Sequence, residues 1–233
     1  MSETPAVMPG SAASSGDPVA TALRGFGPLG ILAILAVLGT QLVLPPLAAT
    51  LVLLWAWRSR TPWSAIGFAR PASWPMVIGG GVVLGVALKL VMKSIVMPLL
   101  GAPPMNAAYH HLIGNGPAAS LLAFQVIIVG GFAEETIFRG FLFERLGTLW
   151  GRSTRARIAT LLLTSLYFAV LHYPDQGLAG AEQALVTGMV FGVLYLRLGS
   201  LWMPMVAHAV FDLVAIAIIY GNLESTVAHL VFK

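Results

Sequence analysis

Two adjacent acids, Glu134 and Glu135, stand in an otherwise apolar run from Val126 to Phe143, and Arg139 follows the second by four residues. Ionisable side chains at membrane depth are costly to desolvate, so those that occur face a protein interior or a watery cavity and mark a working site. On an α-helix of 3.6 residues per turn, Glu135 and Arg139 share a face and can pair, while Glu134 points about 100° away. The acids therefore divide the work. Glu135 holds Arg139 as scaffold, and Glu134, without a local counter-charge, suits a general base. Phe168 and His172 lie four apart near the end of the next apolar segment, a spacing at which the ring walls the imidazole from lipid and fixes its rotamer. His208 and Asp212 lie four apart in the last apolar segment, where the carboxylate can accept one ring N–H and set the tautomer. Counted from the basic ends of their segments, Glu134, His208 and His172 sit roughly 16, 12 and 22 Å deep, a spread that ordinary helix tilt covers. Three separate helices thus bring titratable groups to one layer, which points to chemistry inside the membrane.

The elements that carry these groups must lie in a bilayer. Hydrophobic residues make up 58% of the 233 and charged ones 9%, far from the usual soluble mix. With no cysteine, thiol nucleophiles, disulfides and thiolate metal sites are all absent. A formal charge of +4 is too small to suggest nucleic acid, and the basic residues sit in short loops where a bilayer surface explains them. Apolar segments run over 25–57, 74–100, 118–143, 158–172, 181–196 and 201–220, and Pro45-Pro46 interrupts the first. The expected fold is all-α: a polytopic transmembrane bundle of six helices, or seven if the first run is two short spans, around an intramembrane cavity. Residues 1–24 read as a disordered tail, 25–222 as the transmembrane domain with the motifs in 118–220, and 223–233 as a short C-terminal tail.

Arg58, Arg60, Arg70, Arg145, Arg152, Arg155, Arg157 and Arg197 fall on one side of the bundle, taken as cytoplasmic, and Asp175, Glu182 and Glu224 on the other. The N-terminus lies outside if the first run crosses once and inside if it crosses twice. Gly81 with Gly85 and Gly188 with Gly192 offer small-residue faces for close helix packing. His110, His111 and His229 read as solvated, and Lys89 and Lys93 as snorkelling outward.

The ordered set Glu134-Glu135-x-x-x-Arg139, Phe168-x-x-x-His172 and His208-x-x-x-Asp212 resembles the three signature motifs of the CPBP family, intramembrane proteases that include type II CAAX prenyl endopeptidases and bacteriocin-processing or immunity proteins. The resemblance implies a peptide or membrane-protein substrate, peptide-bond hydrolysis with Glu134 and His172 activating water, and an integral multi-pass protein of a bacterial inner (plasma) membrane. It also implies that His208 and Asp212 serve the oxyanion or bind metal. Many relatives carry Asn at the position of Asp212; an ionised carboxylate repels an oxyanion, so Asp212 acts indirectly, by holding His208 as donor or by orienting it on a metal. One divalent metal such as zinc, with His172, His208 and Glu134 as ligands, stays open beside a purely glutamate-dependent mechanism, although no His-Glu-x-x-His helix is present. A non-catalytic immunity or membrane scaffold protein, and after it a proton-coupled transporter, are the rival readings; no repeat of the transporter kind is visible. The sequence sets neither the oligomeric state nor the identity of the substrate.

Overall fold

The computed structural model describes residues 17–232, all helix and connecting loop with no strand among them. The helices are α1 (Pro18–Arg24), α2 (Pro28–Gln41), α3 (Pro45–Arg58), α4 (Trp74–Leu99), α5 (Gly116–Trp150), α6 (Thr154–Leu198), α7 (Trp202–Tyr220) and α8 (Glu224–Ala228). Their starts follow local chemistry. The Asp17 side chain accepts from the amides of Val19 and Ala20 ahead of Pro18, Asn115 caps α5 ahead of Pro117, and Ser153 caps α6.

Four of these helices, α4, α5, α6 and α7, are long and apolar enough to cross a membrane, and α1 with α2, bent by 57°, makes a fifth candidate. The expected six or seven exceeds that number, and two regions explain the difference. The 45 residues of α6 are broken at Gly177, whose left-handed backbone (φ 65°, ψ −163°) turns the chain back on itself. The arms 154–176 and 178–198 then pack antiparallel, with Gly188 against Ser165 and Gly192 against Leu161. The run over 25–57 is also divided, into α2 and α3 of 14 residues each. At about 21 Å, each is shorter than the roughly 30 Å hydrocarbon core, so neither is long enough to cross it alone. Asp17 pairs with Arg58 at 2.8 Å and Arg60 at 3.4 Å, so the described N-terminal end shares the arginine-rich side with the end of α3.

The expected N-terminal tail needs correction within the described residues. Residues 17–24 form the capped helix α1, because Asp17-Pro18 supplies a start signal and Arg145 donates to the carbonyls of Leu23 and Arg24 at its far end. In the C-terminal stretch, Glu224 begins α8 and is buried, held by Lys93 at 2.8 Å and by the Asn106 amide at 3.1 Å. Residues 1–16 and 233 lie outside the described part of the chain.

Large apolar side chains such as Leu35, Leu54, Val83, Phe124, Leu162 and Leu166 are exposed around the bundle, as lipid-facing surfaces require. The main buried cluster joins α3, α5 and the first arm of α6 through Trp55, Ile137, Phe138, Phe141 and Phe168. Gly81 and Gly85 do lie on the contact of α4 with α7, where a Cβ on Gly81 would meet Val206 at 2.7 Å and one on Gly85 the Ala207 carbonyl at 2.5 Å. This close approach sets the spacing of two cavity walls.

Candidate active site

Glu134 and Glu135 sit in the middle of α5, which is not α-helical there. Ile127–Glu134 and Thr136–Leu142 are π-helical, a wide winding that is rare and is found at functional positions. The 100° step per residue assumed for an α-helix therefore does not apply, although the division between the acids holds. Glu135 is fully buried and receives Arg139 Nη1 at 2.8 Å, while Glu134 is partly open to a cavity of about 1230 Å³. Arg139 also donates to the Gly188 carbonyl at 3.1 Å and lies 4.9 Å from the centre of the Phe168 ring.

The same cavity is lined by Glu134, Phe168, His172, His208 and Asp212, so three helices distant in sequence place their polar groups around one space. His172 Nδ1 lies 2.8 Å from the Phe168 carbonyl. Since a carbonyl only accepts, Nδ1 carries the proton, and Nε2 is left without a hydrogen-bond partner among the described residues. The two rings lie 4.4 Å apart, so Phe168 fixes His172 through both its carbonyl and its face.

His208 is held differently from expectation. Its Nδ1 donates to Glu135 Oε1 at 2.7 Å, while Asp212 Oδ2 stands 3.6 Å and Glu134 Oε2 3.7 Å from its Nε2. Asp212 is thus not the group that sets the ring; Glu135 is, and it does so while holding Arg139. Asp212 sits beside Glu134 on the cavity side of the imidazole. The space beside Asp212 and the His208 Nε2 is kept by Gly130, where a Cβ would come 2.8 Å from Asp212 Oδ2 and 3.4 Å from His208 Nε2.

The expected zinc ligands do not form a set. Among the described residues, no three His, Asp or Glu side chains converge closely enough to hold a metal ion. Glu135 occupies one ring nitrogen of His208, and the other faces two carboxylates at more than 3.5 Å.

Sequence reasoning missed three cavity residues. Lys89 was expected outside, yet only 7% of it is exposed, and its Nζ donates to Gln183 Oε1 at 3.1 Å and lies 4.6 Å above the Phe211 ring. The signal was present: Lys89 continues the Gly81, Gly85 series by one more turn, on the face that packs against α7. Lys93 is also held inside, on Glu224 and the Pro104 carbonyl. Tyr109, in the loop before α5, accepts from Gln176 Nε2 at 3.3 Å. Burial, helped by the charges of Asp212, Asp175 and Glu134, pushes its phenol above the ordinary value, so it remains a protonated donor. His110, His111 and His229 are exposed as expected.

Residues 116–214 match the family model described as type II CAAX prenyl endopeptidase Rce1-like, a stretch that includes all three motifs and somewhat less than half of the chain. No curated protein and no solved structure matches the chain. The match agrees with the CPBP-family resemblance of the motifs and supports a CAAX-type intramembrane protease fold for this segment of an integral membrane protein.

Proposed function

We propose that the protein is an intramembrane endopeptidase of a bacterial inner (plasma) membrane, cleaving a peptide or membrane-protein substrate with water activated by Glu134 and His172. The observation that carries this reading is the meeting of the Glu134 carboxylate, the His172 ring with its free Nε2, and the His208 Nε2 around one cavity. A water between Glu134 and His172 gives a proton to Glu134 as its oxygen attacks the peptide carbonyl carbon. His208, anchored through Nδ1 by Glu135, turns its Nε2–H toward the oxygen that becomes negative. On collapse of the tetrahedral intermediate, the proton held by Glu134 passes to the departing amine. Asp212 and Glu134, side by side on the cavity side of Nε2, attract that N–H, which gives Asp212 an indirect part and agrees with the poor fit of a carboxylate to an oxyanion.

Comparison of membrane peptides between cells expressing the wild type and Glu134→Ala tests the reading. A protease leaves fragments, or depletes precursors, only in the wild type. A protein whose biological activity survives Glu134→Gln is a binder or scaffold instead.

A further inference from the structure

Lys89 is a buried charged side chain of the cavity wall for which the proposed hydrolysis has no use, and its surroundings are those of a binding group. Its Nζ offers three donors. One goes to Gln183 Oε1 and another faces the Phe211 ring, both neutral partners, and no carboxylate of the described residues lies within 4.0 Å. Lys93, one turn further along, is by contrast neutralised by Glu224 at 2.8 Å. A buried ammonium without a carboxylate is costly unless a ligand completes it.

We propose, building on the protease reading, that Lys89 and Gln183 form a carboxylate-binding subsite of the substrate cavity, so that the protein selects peptides presenting one carboxylate near the bond to be cut. Position supports this. Phe211, under the ammonium, lies about one helical turn from His208 along α7, on the side away from the arginine-rich face. An extended peptide covers about 3.3–3.6 Å per residue, so a carboxylate on Lys89 belongs to a residue close to the scissile bond. Charge supports it too. A single ammonium balances one negative charge but not the two of a phosphate. The carboxylate comes either from a chain terminus or from an acidic side chain.

Binding to full-length Glu134→Gln protein in detergent separates these sources and does not depend on turnover. The probes are acetyl-trileucine as free acid, its C-terminal amide, and the amide of acetyl-Leu-Asp-Leu, measured by calorimetry. The free acid binds at least about tenfold more tightly than the trileucine amide, as a charge-assisted hydrogen bond gives. If the aspartyl amide equals the free acid, an acidic side chain serves as well; if it binds like the trileucine amide, the subsite reads a chain terminus. Adding Lys89→Met brings the acid-to-amide ratio to about one. Gln183→Glu, which leaves Lys89 in place and gives it an internal carboxylate, does the same. A ratio near one with Lys89 and Gln183 intact, or a preference unchanged by Lys89→Met or Gln183→Glu, overturns the proposal. Since the probes are not cleaved by Glu134→Gln, a preserved acid preference in a protein without protease activity would refute the enzyme reading alone.

Discussion

His208 gives its Nδ1 proton to Glu135 Oε1 across 2.7 Å, and the same oxygen receives Arg139 at 2.8 Å. One buried carboxylate thus fixes the orientation of a cavity imidazole and, through Arg139 and the Gly188 carbonyl, ties α5 to the second arm of α6. Fold and site share this residue, and its loss separates from that of the residues beyond it.

Glu135→Gln leaves a buried guanidinium without its counter-charge and weakens the anchor of His208. Such a change costs about 3–5 kcal/mol. Thermal unfolding in detergent should show a large drop for the single variant and a smaller one for Glu135→Gln with Arg139→Met. Equal drops would mean that the pair is not coupled.

Glu134 makes no scaffold contact of this kind, so Glu134→Gln should unfold near the wild-type temperature and yet lose cleavage by about 10²–10⁴-fold. His172→Ala should lose turnover likewise. Full activity in either purified variant removes that residue from the mechanism.

Gly130→Ala places a methyl 2.8 Å from Asp212 Oδ2 and 3.4 Å from His208 Nε2. Activity should fall at least tenfold, an effect of about 1.4 kcal/mol or more on the barrier. Gly147→Ala, whose Cβ meets nothing within 4 Å in the same long helix, should keep activity and gain about 0.5–1 kcal/mol of stability. Matching kinetics for the two variants would show that the space beside Gly130 is not used.

Because His172, His208 and Glu134 do not close into a ligand set, dialysis against a strong chelator should leave cleavage unchanged. Turnover lost on chelation and restored by stoichiometric zinc would require a rearranged site.

Local spacing made much of this site legible. The Glu135 to Arg139 pair and the seating of His172 on Phe168 lie within a single helical turn, where four-residue periodicity governs contact. The bond from Glu135 to His208 spans 73 residues and depends on how α7 docks on α5, which no spacing in one segment encodes. Asp212, at the right interval for His208, therefore looked like its partner when a more distant acid had taken the nitrogen. The π winding of α5 was hidden for a related reason: its run is apolar on all sides, so no polar stripe betrays the width of a turn. Lys89 was misplaced because a long cation near a helix end ordinarily reaches for water, whereas α4 packs against α7 along the Gly81, Gly85, Lys89 face. The start of α1 was within reach, since Asp17-Pro18 is a capping signal, but the polar composition before it dominated.

The cavity is bordered by Pro103, Pro104, Asn106 and Tyr109 of the loop between α4 and α5, and by Glu224 and Phe232 near the chain's end. All of these belong to the face opposite the arginine-rich loops. On the proteolytic reading, an impermeant inhibitor offered in sealed vesicles should act from that side of the lipid. The chamber is a well sunk from a single shore, so which fluid bathes its rim decides what the protein can sample.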